Sequence, residues 1–184
     1  MNESQASHQM ETEDIIIHID WSGPYTLEEV SHLNGPTDFG VYQIYGGHPV
    51  YGSGVLLYIG LDEWQTFAQR LSQHGWCHTN QDAGRLEVHV GRLFGLTTPD
   101  CDTWNRYIRL AELLLIHAHR PAWNSQMELK SLEPELRRVH VVNWQRYRSL
   151  MPEVSGARWS ERFDHIPFRQ HFSTEHFGRQ PSTT

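Results

Sequence analysis

The sequence predicts an α+β fold: a small, mostly antiparallel central sheet, made of a hairpin plus a third strand, flanked by helices and followed by an arginine-rich C-terminal extension. Three observations carry this. Short runs rich in Val, Ile, Leu and Tyr recur at 14–20, 39–45, 55–59 and 85–94, with the length and content of strands. Two longer stretches, at 62–74 and 100–120, space their apolar residues at three and four, as one face of a helix does. No repeat or linker divides the 184 residues, which is enough chain for one domain and one core.

Each element has a local reason. DIIIHID, Asp14 to Asp20, reads as a short buried strand. Thr26-Leu-Glu-Glu29 has capping-box spacing and opens a short helix through Val30 and Leu33 that ends at Asn34-Gly35. Phe39–Tyr45 and Val55–Ile59 are expected to pair as a hairpin, with Gly46-Gly47-His48-Pro49 in the loop between them. In DEWQTFAQRLSQH, Trp64, Phe67, Ala68 and Leu71 form an apolar helix face, and Arg70 and His74 stand one turn apart. Leu86, Val88 and Val90 alternate with Glu87 and His89, as in a half-buried strand. Asp100 or Asp102 caps a long helix whose core stripe is Tyr107, Ile108, Ala111, Leu114, Leu115 and Ala118, and Arg120-Pro121 ends it. The rest is less regular. Polar tails at 1–13 and 178–184 are expected to be disordered, leaving a core at 14–135 and an extension at 136–177.

Composition excludes several classes. No apolar run approaches the roughly 20 residues that cross a bilayer, so no membrane partner is expected. The N-terminus lacks the pattern of a secretory signal, and Cys77 and Cys101 have no metal-site spacing, which together point to reduced thiols and a cytoplasmic location. The net charge of -7 hides an asymmetry: from Leu136 onward there are eight arginines against four acids. Fourteen of the fifteen basic residues are arginine, and arginine favours forked contacts with carboxylate or phosphate. Arg137, Arg138, Arg146, Arg148 and Arg158 are therefore either phosphate contacts or partners of core acids such as Glu128, Glu133 and Glu135.

The polar residues inside apolar surroundings are the candidates for chemistry. Glu112, in AELLLIHAH, would be costly to bury without a partner such as Arg109 or Arg120, or a role. Tyr42 and Tyr58 sit at matching places in the two hairpin arms. Asn124 in PAWNS reads by itself as a turn residue. His117-Ala-His119 is a weak zinc pattern, since helix residues two apart face different sides. Trp123, Trp144, Trp159 and Phe163 are aromatic enough to stack on bases, although core packing accounts for them as well.

Taken in order, these residues resemble the GIY-YIG nuclease family. Gly40-Val41-Tyr42 matches its first motif with Val for Ile, and Tyr58-Ile59-Gly60 matches its second unchanged. Arg70 and His74 match the helix that follows, Glu112 the metal-binding glutamate, and Asn124 the late asparagine. The match spans 39–125, roughly half the chain. The resemblance implies hydrolysis of DNA phosphodiester bonds with one Mg²⁺ (or Mn²⁺) held by Glu112, since Mg²⁺ keeps several waters beside one or two carboxylates. It also implies Arg70 on the phosphate, Tyr42 nearest the attacking water, Tyr58 holding water or phosphate, His74 as a second proton acceptor, and Asn124 fixing the geometry. A phenol's usual pKa of about 10 must then be lowered for Tyr42 to act as a base. RPAWNS followed by Met151-Pro152-Glu153 and Gly156-Ala-Arg-Trp159 is loosely similar to the stand-alone restriction endonucleases of this family, without their Gly-rich run after WNS. Defence or repair, a toxin-like nuclease, and a non-catalytic nucleic-acid-binding or interaction module remain open, and a homodimer would suit double-strand cutting.

Overall fold

The computed structural model describes residues 13–73, 86–124 and 133–159. The expected tails, apart from Glu13, lie outside these residues, as do His74, Cys77, Glu128 and Phe163. The elements are β1 (Ile15–Tyr25), α1 (Leu27–Val30), β2 (Gly40–His48), β3 (Gly52–Asp62), α2 (Phe67–Ser72), β4 (Glu87–Phe94), α3 (Cys101–His119), a 3-10 turn (Pro134–Arg138), β5 (Val139–Gln145), β6 (Glu153–Ser155) and a second 3-10 turn (Gly156–Trp159).

The fold is α+β, as expected, but the sheet has six strands, in the order β3-β2-β4-β1-β5-β6. Its pairings are antiparallel except for β1 with β5. The described part of the arginine-rich segment, 136–159, thus joins the same sheet as the residues before it. Leu136, Val139, Val141, Leu150 and Val154 share one apolar cluster with Val41, Ile59, Ile108 and Leu115. Trp21 donates to Asn143 at 2.8 Å, and Asn143 donates to the Met151 carbonyl at 2.8 Å, a polar link between β1 and the last strands.

The strand period of two sorts the core. Val41 and Ile59 face α3 in one cluster. Tyr42, Ile44, Val88 and Val90 face the other way, with Val30 of α1 and Phe67 and Leu71 of α2. β2 is buried on both faces, which is why its residues run Val-Tyr-Gln-Ile-Tyr with little polar alternation. β3 is the sheet's edge on that side, and the chain after α3 covers it: Trp123 N–H donates to the Leu57 carbonyl at 2.8 Å and Ala122 N–H to that of Leu56 at 3.3 Å. Covering an edge removes unpaired backbone groups that would otherwise recruit another strand.

Several sequence expectations are corrected in detail. Gly46, Gly47 and His48 belong to β2, and the turn is Pro49-Val50-Tyr51. The helix expected over 62–74 starts only at Phe67, because the Thr66 side chain caps it and Gln69 returns the bond; Trp64 precedes the helix and is 76% exposed. His89 is buried rather than solvent-facing, with Nδ1 3.0 Å from the Arg146 carbonyl oxygen and its ring edge-on to Tyr45. Thr26 and Glu29 form both bonds of the expected capping box, and Asp100 is the cap of α3, accepting from Thr103 N–H.

Candidate active site

The hairpin register places the tyrosines. Tyr42 stands opposite Gly60, and Gly40 opposite Asp62. Residues 58, 60 and 62 share one face of β3 by the strand period, so Tyr58 and Asp62 flank the position opposite Tyr42. The Tyr42 and Tyr58 ring centroids are 6.1 Å apart. Glycine is required between them: a Cβ on Gly60 would lie 2.5 Å from the Tyr42 Oη and 2.6 Å from Cε1 of Tyr58. Gly40 is held at φ +143°, where a side chain would collide with the carbonyl oxygen of Gly91. Both glycines of the two motifs are thus explained by space and backbone conformation.

α2 carries Arg70 over this face. Its Nε is 3.8 Å from Oδ1 of Asp62, and its guanidinium bonds the Tyr42 hydroxyl. Burial opposes the Arg70 charge, while the bond to the Tyr42 hydroxyl and the nearby Asp62 carboxyl favour it. Asp62 is 2% exposed, and its Oδ2 has no hydrogen-bond partner among the described residues. Burial pushes its carboxyl up to about 8, against the pull of Arg70.

Glu112 approaches from α3. The pairing expected from the sequence is absent among the described residues: Arg109 instead forms two bonds to Glu63, at 3.0 and 3.1 Å, and Arg120 is an exposed left-handed cap. Burial, then the Glu63 charge, pushes Glu112 up to about 7, while Arg70 and Arg109 pull the other way. The Glu112 charge is also felt by Tyr58, whose pKa is raised by burial first and Glu112 next. Tyr42, Tyr58, Arg70, Asp62 and Glu112 are therefore one electrostatic unit.

The base role given to Tyr42 needs a lowered pKa, and the structure has the reverse. Tyr42 is fully buried, and burial, Tyr58 and Asp62 raise its pKa despite Arg70. It is a neutral phenol that bonds Arg70. Tyr58 is the more exposed of the two.

Asn124 lies outside this unit and braces it. Its Oδ1 accepts from Ile59 N–H and its Nδ2 donates to the Ile59 carbonyl, both at 2.9 Å. The side chain acts as one more rung of ladder on β3, fixing the residue between Tyr58 and Gly60.

The five arginines are dispersed. Arg138 pairs with Asp14 at 3.7 Å. Arg148 pairs with Glu87 and lies 4.1 Å from the centroid of the Tyr45 ring. Arg146 donates to the Gly23 carbonyl at 3.0 Å. Arg137 is half-buried, with Nε unpartnered among the described residues, and Arg158 is exposed. The observed acids are thus Asp14 and Glu87 rather than Glu133; Glu135 pairs with Arg106 instead. His117 packs edge-on against Trp159, while His119 accepts from Met151 N–H at 3.4 Å, and burial lowers it to about 4. The two histidines have separate structural contacts.

Asp62 is the residue that sequence reading missed. Counting by two from Tyr58 places it on the tyrosine face, but in the sequence it falls at the start of the helix expected over 62–74. No helix among the described residues is long and apolar enough to cross a membrane. No family model, curated protein or solved structure matches the chain.

Proposed function

We propose that the chain is a metal-dependent DNA endonuclease of the GIY-YIG type, acting in the cytoplasm in DNA defence or repair. The observation that carries this reading is the meeting of Tyr42, Tyr58 and Arg70 on one sheet face with Glu112, a half-buried carboxylate that has no ion pair among the described residues. A carboxylate driven up to about 7 by burial gains most from a cation. Among the described residues no three His, Cys, Asp or Glu side chains gather into a cage, so Mg²⁺ (or Mn²⁺) held by Glu112 would keep most of its coordination as water and phosphate oxygen. When bound, it supplies charge neutralisation on the scissile phosphate and stabilisation of the leaving oxygen.

The chain's own residues do the rest. Arg70, fixed by Tyr42 and Asp62, offers its remaining N–H groups to a phosphate, and such donors gain strength as charge builds. Tyr58, more open to solvent and beside Glu112, orients the attacking water. Tyr42, protonated, holds Arg70 in place. His74 is the proton acceptor implied by the family resemblance, and Asn124 keeps β3 in register. DNA is the partner, Arg146 and Arg158 are the extension's best-placed phosphate contacts, and a homodimer would bring two sites to two strands.

Incubation with plasmid DNA and Mg²⁺, beside a chelator control, tests this. Nicking or cutting that the chelator abolishes is the expected result. An intact plasmid in both Mg²⁺ and Mn²⁺ would overturn the catalytic reading in favour of a binding or interaction module.

A further inference from the structure

A cavity adjoins the candidate active site. It has a volume of about 570 Å³ and lies between the loop before β2, the turn after β3 and the first turn of α3, with Phe39, Trp64 and Trp104 in its lining. Small-ligand pockets span roughly 300–1,000 Å³. Its exposed lining is mostly apolar, with Glu63, Gln65, Gln69, Asn105 and Arg92 among its polar groups. Phe39 and Trp104 are packed with centroids 6.2 Å apart. The Trp104 indole N–H is a buried donor without a partner among the described residues. Trp64, 76% exposed, is a large ring that the protein's own packing leaves uncovered.

The cavity and the site share a wall. Glu63 lines the cavity and its charge acts on Glu112; Gln69 lines it one residue before Arg70. Its lining contains one carboxylate, that of Glu63, and Arg109 holds it with two hydrogen bonds, so its charge is offset against an incoming polyanion. A chain whose phosphate rests on Arg70 therefore has a neighbouring place that is lined by aromatic rings, largely apolar and furnished with amide groups. We propose that this cavity takes an unstacked nucleobase of the nucleotide next to the bound phosphate, with Trp64 as the stacking ring. The proposal rests on the phosphate-binding reading of Arg70 and names what sits beside it.

The test is titration calorimetry of the full chain with adenosine 5′-monophosphate and with deoxyribose 5-phosphate, using wild type, Trp64→Ala and, as a control, Trp144→Ala, a tryptophan outside the cavity. Stacking on an aromatic side chain is commonly worth enough that its removal costs about fivefold or more in affinity. The expected result is binding of the nucleotide to wild type and to Trp144→Ala, at least about fivefold weaker binding to Trp64→Ala, and still weaker binding of the sugar phosphate. Trp64→Ala should melt with wild type, since the ring is exposed. Absent nucleotide binding, equal binding by Trp64→Ala, or equal binding of the sugar phosphate overturns the proposal. The plasmid assay separates the two readings: cleavage without nucleotide binding removes the cavity's role alone, and nucleotide binding without cleavage removes the nuclease reading alone.

Discussion

The guanidinium of Arg70 lies 3.8 Å from a carboxylate, that of Asp62, which is itself almost fully buried. Such an acid is stabilised in its neutral form by burial and in its charged form by the arginine, and burial wins, moving it from 3.8 to about 8. A raised carboxyl pKa contributes stability that is complete below about pH 4 and lost as pH rises toward 8. Glu112, raised from 4.5 to about 7, acts in the same direction; His89, His117 and His119, all lowered, act oppositely below neutrality. The difference between variants isolates the contribution of Asp62. Asp62→Asn should gain stability relative to wild type as pH rises from 4 to 8. Urea unfolding at several pH values checks it, and a constant difference would show that Asp62 titrates normally.

Gly60→Ala should destabilise the chain and abolish cleavage together. The added methyl falls within 2.6 Å of both tyrosines, and overpacking a tight core costs about 1–3 kcal/mol. A variant with normal melting temperature and full activity would contradict the tyrosine geometry.

Tyr58→Phe should cost the larger factor in single-turnover rate, about 10²-fold or more, as for loss of a positioned group in proton transfer. Tyr42→Phe should cost less, through a loosened Arg70. The reverse order would restore Tyr42 as the water-activating residue, which its burial now disfavours.

The hairpin's pairing was legible because Tyr42 and Tyr58 stand at matching places in two strand-like runs joined by a short loop. Other features needed tertiary facts. Trp64 fits a helical stripe in sequence, and only the Thr66 cap shows that the helix starts after it. VHVVNWQ and EVS lie in the part of the sequence that reads as irregular, and their strand state depends on neighbours: β5 pairs parallel with β1, and β6 antiparallel with β5. The buried state of Asp62 depends on Gly40 opposite, on another strand, and on Arg70 above, on α2.

The arginines divide into two groups that salt separates. Arg138→Gln and Arg148→Gln remove partners of Asp14 and Glu87 and should lower melting temperature slightly, since exposed pairs are worth about 0–1 kcal/mol. Arg146→Gln with Arg158→Gln should weaken DNA binding and flatten its log-log salt slope by about 0.9 per lost contact on duplex. A salt series of DNA binding on a Glu112→Ala background reads both, and an unchanged slope would remove the extension as a DNA surface.

The most direct measurement is the Mg²⁺-dependent cleavage rate of Glu112→Ala beside wild type, with melting temperatures taken on the same samples. Glu112 has no ion pair to lose among the described residues, so Ala should leave the fold intact, or raise the melting temperature above neutral pH, while cleavage falls to the chelator background. Cleavage at the wild-type rate by a folded Glu112→Ala protein would contradict the account at its centre.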